Sequence, residues 1–95
     1  MAAYIVVQIR VHDAARYDDY KAAAQVTLKA FGGRYVVRGA PCETLEGAWS
    51  PTRFVVLEFP DKERARAWWS SAEYAPAKAI RHATAETDMI LVEGV

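Results

Sequence analysis

Cysteine, histidine and net charge are what this chain has least of. Cys42 is its one cysteine, so no internal disulfide can form. A lone thiol fits a reducing cytoplasm, where the protein is expected. Cys42 stands in Ala40-Pro41-Cys42-Glu43, a turn-like stretch, and reads as a loop thiol. His12 and His82, the two histidines, lie far apart in sequence. No Cys or His pair stands at a metal spacing such as CxxC or HxxxH, so no metal site is expected. There is no GxGxxG, P-loop or GxSxG run, and no cofactor is expected. Twelve basic residues balance twelve acidic ones. A nucleic-acid binder would normally show a basic excess, so none is expected as partner. No stretch approaches the roughly 18–20 apolar residues of a membrane span. The opening Met1-Ala2-Ala3-Tyr4-Ile5 has no charged region ahead of its apolar run, so no signal peptide is expected.

What is present is an apolar fraction of 53% in 95 residues, which predicts one globular domain over residues 1–95. A chain this short buries only about 60–65% of its unfolded surface, so it is thinly stabilised as a monomer. Tyr4 to Val11 reads as a strand rich in β-branched residues, followed by Asp13 as a helix N-cap. Ala14 to Phe31 reads as a helix, because Tyr17, Tyr20, Ala24, Leu28 and Phe31 recur at spacings of three and four. Gly32-Gly33 stops it. Strands follow over Arg34–Arg38 and Arg53–Phe59, separated by a long connection from Gly39 to Thr52. Asp61 caps a second helix over Lys62–Ser71, with Ala65, Trp68, Trp69 and Ala72 on its buried side. Glu73–Ala83 reads as a further helix with Pro76 in its first turn, and Asp88–Glu93 as the last strand.

This order, β-α-β-β-α-β, predicts a ferredoxin-like α+β sandwich. A four-stranded antiparallel sheet would carry its helices on one face, with the first and third strands central. Both central strands are apolar on both faces, and helices can cover only one. The exposed face predicts a homodimer joined sheet to sheet.

A set of quoted segments runs through these elements. They are Tyr17-x-x-Tyr20, Phe31-Gly32-Gly33-Arg34-Tyr35-x-x-Arg38-Gly39 and Leu45-Glu46-Gly47-x-Trp49-x-Pro51-x-Arg53. Glu58-Phe59-Pro60, Ala65-x-x-Trp68-Trp69-x-Ser71-x-x-Tyr74 and Val92-Glu93-Gly94 complete it. Together they resemble the domain-of-unknown-function family 1330, a bacterial group in the dimeric α+β barrel superfamily. The resemblance implies a ferredoxin-like protomer and a barrel-forming dimer, with no agreed activity. Relatives in the superfamily include cofactor-independent monooxygenases, muconolactone-isomerase-like enzymes, haem-binding chlorite dismutases and small stress-responsive proteins. Function has to be argued from the site.

Three constellations carry candidate chemistry. Arg34 and Arg38 share parity on one strand and are expected on one face. Arg38 and Arg53 would then hold a small, flat anion through their planar donor forks, with Arg81 nearby. The alternative is an ion-pair network with Glu43, Glu46 and Glu58, and an arginine partner is expected for Glu58. Tyr17, Tyr20 and Trp69 offer apolar walls with polar tips, as ligand pockets do. Trp68 and Trp69 are about 100° apart on a helix, so one of them must turn toward a cavity or a partner. His82 is the candidate general base, since imidazole titrates near neutrality, and Tyr20 the candidate hydrogen-bond donor. The expected function is a homodimer that binds a small aromatic or anionic metabolite and acts on it without a cofactor. The alternative is a non-catalytic stress-associated or regulatory dimer.

Overall fold

The computed structural model describes Met1–Val95. Its elements are β1 (Ala3–Val11), α1 (Ala14–Ala30), β2 (Arg34–Arg38), β3 (Arg53–Phe59), α2 (Lys62–Ser70), α3 (Ala75–Thr84) and β4 (Ala85–Glu93). The strands form one 4-stranded sheet in the order β2-β3-β1-β4, antiparallel throughout. This is the expected ferredoxin-like arrangement, with β1 and β3 central. Both expected caps are in place. Asp13 accepts from the Arg16 amide at 3.2 Å, and Asp61 from the Arg64 amide at 2.8 Å. Gly32, at φ +77°, takes the left-handed turn that ends α1.

β4 starts three residues earlier than the sequence predicts, at Ala85 and not Asp88. Helix α3 runs into it without a loop. The Thr84 carbonyl accepts from the His12 and Asp13 amides at 2.9 and 3.2 Å, which ties the junction to the end of β1. Ala85, Glu86 and Thr87 then pair with Val11, Arg10 and Ile9. Glu86 and Thr87 give no apolar alternation, so only the pairing reveals the strand.

The core lies between the sheet and the helices. Ile5, Val7 and Ile9 of β1 and Val55, Leu57 and Phe59 of β3 meet Tyr17, Tyr20, Ala24 and Leu28 of α1. Trp68 is fully enclosed, with ring centroids 4.0 Å from Tyr74 and 5.6 Å from Phe59. Its indole Nε1 donates to Thr27 Oγ1 at 3.0 Å. Trp69 is not on that side. It is 45% exposed, since one residue turns the helix by about 100°. Ala72 is also exposed, because α2 ends at Ser70.

The other sheet face has no helix. Its middle row is Val37, Val56, Val6 and Ile90, adjacent across all the strands. On one side Arg34, Glu58, Tyr4 and Val92 align. On the other side Phe54, Gln8 and Asp88 align. Trp49, from the long connection, lies over this last row. Its ring stands edge-on to Phe54 at 5.8 Å, and its indole donates to the Gln8 side-chain oxygen.

Glu58 has the arginine partner expected of it. Arg34 Nε donates to its Oε1 at 2.7 Å and the Tyr4 hydroxyl to its Oε2 at 3.1 Å. The bond from Arg34, then that from Tyr4, holds the Glu58 carboxyl below the usual carboxylate value. A lowered folded value gives stability that is present above the unfolded value and lost as pH falls through the folded one. Glu58→Gln should therefore flatten the loss of stability below the ordinary value of 4.5. Urea midpoints measured across that range check this, and an unchanged acid limb would refute it.

Candidate functional site

The arginines separate as soon as β2 is laid on β3. Arg34 pairs with Glu58 and Tyr35 with Leu57, but Val37 pairs with Val56 and Arg38 with Val55. A bulge between Tyr35 and Val37 adds one residue and reverses the parity after it. The expectation that Arg34 and Arg38 share a face is therefore corrected. Arg34 lies on the open face with Glu58. Arg38 lies on the helical face, where it donates to the Gln25 side-chain oxygen at 2.8 Å and covers the Tyr35 ring at 4.5 Å.

Arg53 shares the helical face with Arg38. Its guanidinium lies 5.5 Å over the Tyr17 ring and against Gly39. Gly39 has φ +78°, and a Cβ there would collide with that guanidinium, so glycine is needed twice over. Arg53 Nε is buried without an acceptor. Burial pushes the Tyr17 phenol up, and the charges of Arg53 and Arg81 oppose that shift.

The ion-pair alternative holds for Arg34 alone among the candidate arginines. The salt bridges of the chain are Arg10–Glu86, Lys21–Asp18, Arg34–Glu58 and Arg64–Asp61. Glu43 and Glu46 are in none of them. Arg38, Arg53 and Arg81 therefore have no carboxylate within salt-bridge distance. Arg81 is the extreme case. It is 3% exposed, and its Nε has no acceptor. Its position in the last turn of α3 gives partial relief, because the carbonyl end of a helix favours a cation.

Arg81 lines a cavity of about 480 Å³ between α2, α3 and the edge strand β4. Ile5, Met89 and Leu91 form its apolar floor, Trp69 and Arg66 come from α2, and His82 and Thr87 complete it. Trp69 is held from one side by Lys78, whose Nζ lies 3.9 Å from the ring centroid and donates to the Trp69 carbonyl at 2.8 Å. His82 is exposed on α3. Partial burial, then the charges of Arg81 and Lys78, lowers its pKa. Its imidazole is accordingly neutral at pH 7, the form that accepts a proton.

The cavity thus brings together Trp69, Arg81 and His82 from the expected set. It does not include Tyr17, Tyr20, Arg38 or Arg53. Tyr17, Tyr20 and Arg53 line a separate space under α1 of about 20 Å³, room for about one water. Tyr20 is committed elsewhere as well. Its hydroxyl shares a 2.8 Å hydrogen bond with that of Tyr74, and burial pushes its pKa far up. Thr87 and Arg66 were not singled out by sequence reasoning. Thr87 fell outside the predicted last strand, so its inward parity could not be read. Arg66 is an exposed helix charge, and nothing in its sequence neighbourhood marks it.

The architecture around the site is one antiparallel sheet with its helices on one side. Solved structures with the same arrangement are readily found. A protein of unknown function from Rhodopseudomonas palustris superposes with a TM-score of 0.81 at 16% identity, covering 99% of this chain and 82% of the other. A cofactor-independent oxygenase from Streptomyces nogalater gives 0.68 at 12% identity, covering 99% and 93%. A dimeric ferredoxin-like protein of unknown function from Jannaschia gives 0.66 at 15% identity, covering 99% and 100%. At these identities the likeness concerns the fold. No curated protein matches the chain. Within this class the chain belongs to the Domain of unknown function (DUF1330) family, whose model matches residues 2–95.

Proposed function

We propose that the protein is a homodimer that binds a small organic anion in the cavity beside β4 and acts on it without a cofactor. One observation carries the reading. Arg81 is a buried cation with no carboxylate partner, and it lines a cavity whose other charged side chain is Arg66. An uncompensated buried charge is costly, and a bound anion would remove the cost. Trp69 supplies a flat wall for an aromatic or planar body. Neutral His82 would take a proton from the bound molecule, the general-base step of a reaction run without a cofactor. The similarity in fold to a cofactor-independent oxygenase is consistent with such chemistry. Tyr17, Tyr20, Arg38 and Arg53 take no part in ligand contact in this reading, since none of them lines the cavity. The dimer would form through the open sheet face, where the row Val37, Val56, Val6 and Ile90 lacks a cover.

A native mass spectrum of the freshly purified protein reports subunit count and retained ligand together. Titration with benzoate, followed by calorimetry, tests the anchor directly. Arg81→Met keeps an unbranched apolar stem and removes the guanidinium and its charge. It is expected to weaken benzoate by about tenfold to a hundredfold, the worth of one charge-assisted hydrogen bond. Undiminished binding by the variant would refute the anchor. A dimer with no retained mass and no affinity for benzoate would favour the non-catalytic module.

A further inference from the structure

Arg81 is not the only polar group left unpaired in the cavity. Thr87 Oγ1 is buried and has no partner either, and Thr87 lines the same space. Buried hydroxyls are nearly always hydrogen-bonded, so an unpaired hydroxyl in the cavity that also holds the unpaired Nε of Arg81 needs an explanation. The topology explains how they meet. Thr87 pairs with Ile9, whose side chain is in the core, so Thr87 also points to the helical side. Arg81 stands in the last turn of α3, which passes directly into β4.

We propose that Thr87 Oγ1 and Arg81 together form a head-group subsite that selects a carboxylate. This rests on the reading of the cavity as an anion site and adds the identity of the anion. Both atoms are closed off while the cavity is empty, so a ligand reaches them only as the wall opens; Arg81 Nε–H then supplies one donor to a planar pair of oxygens and the Thr87 hydroxyl a second. Around them Met89, Leu91 and Trp69 accept the apolar body of the acid. His82 would face the body of the ligand, and its carboxylate would stay fixed. The ligand class is therefore a small aromatic or unsaturated carboxylic acid.

The claim makes opposite predictions for stability and for binding. Thr87→Val is nearly the same shape and suits a strand at least as well. In the free protein it removes a buried hydroxyl that bonds nothing, so its melting temperature should be equal to or above that of the wild type. Benzoate binding should nevertheless weaken about tenfold, the lower end of what a hydrogen bond to a charged group contributes. Thr87→Ser should retain the wild-type affinity. Phenol, which lacks the second oxygen and the charge, should bind wild type and Thr87→Val alike.

Calorimetric titration of benzoate and phenol into these proteins and into Arg81→Met decides the matter. If Arg81→Met loses benzoate and Thr87→Val does not, the carboxylate subsite is wrong and the anion cavity stands. If Thr87→Val melts lower than wild type, the hydroxyl has a structural partner and the subsite is equally wrong. If benzoate does not bind wild type at millimolar concentration, the anion cavity fails and the subsite fails with it.

Discussion

Val6→Asp is expected to yield a monomer. Val6 stands at the centre of the open face, with Val56 on one side and Ile90 on the other. In a sheet-to-sheet dimer with twofold symmetry, each substitution is felt twice. Each buried valine removed costs about 1.5–3 kcal/mol, and the aspartates would meet in an apolar layer with no cation in the row. The lone protomer has no such objection, because that face meets water. Sedimentation should therefore report a species near 10.6 kDa, where the wild type is expected at twice that mass. Val6→Ile, which keeps the face apolar, should leave the dimer intact. A Val6→Asp protein that still sediments as a dimer would place the interface elsewhere.

Trp68→Ala should be the most damaging single change to folding. Trp68 is enclosed by Phe59, Tyr74 and α1, and its indole hydrogen is held by Thr27. Truncating a buried tryptophan costs about 3–5 kcal/mol through lost transfer energy and the cavity left behind. Domains of this size have about 5–15 kcal/mol in total. The variant should lose about a fifth of its stability or more, which a urea titration followed by circular dichroism will show. Trp68→Phe keeps much of the stack and loses the bond to Thr27, so its cost should be nearer 1 kcal/mol. Trp69→Phe, on the exposed side of the same helix, should change stability little. Equal damage at both positions would contradict the helix orientation described above.

The contrast between these neighbours shows what the sequence could convey. The strand and helix order was legible because apolar periodicity is local. Ile5, Val7 and Ile9 announce a buried strand face without knowledge of their partners. The salt bridge at Glu58 was legible for a similar reason, since a carboxylate between Leu57 and Phe59 needs a cation. The site was harder. Its pieces are set by register, and register belongs to pairs of strands. One extra residue in β2 moved Arg38 away from Arg34, and no residue in Arg-Tyr-Val-Val-Arg announces a bulge. Thr87 was lost because the last strand begins with residues that do not alternate. Trp69 was expected both on the buried side and at a cavity wall. Helical geometry decides for the wall, because it cannot turn the way Trp68 turns.

The loopless passage from α3 into β4 has a consequence for how such chains can diverge. Arg81 is fixed by the helix and Thr87 by the strand, with only Thr84 and Ala85 at the changeover. One inserted residue after Ala85 would turn Thr87 to the opposite face, because side chains alternate along a strand. The length of this segment is therefore not free to vary. The connection from Gly39 to Thr52 belongs to neither element and can grow or shrink without disturbing the cavity. Lineages of this protein should change their ligand by point substitution and their length in that connection.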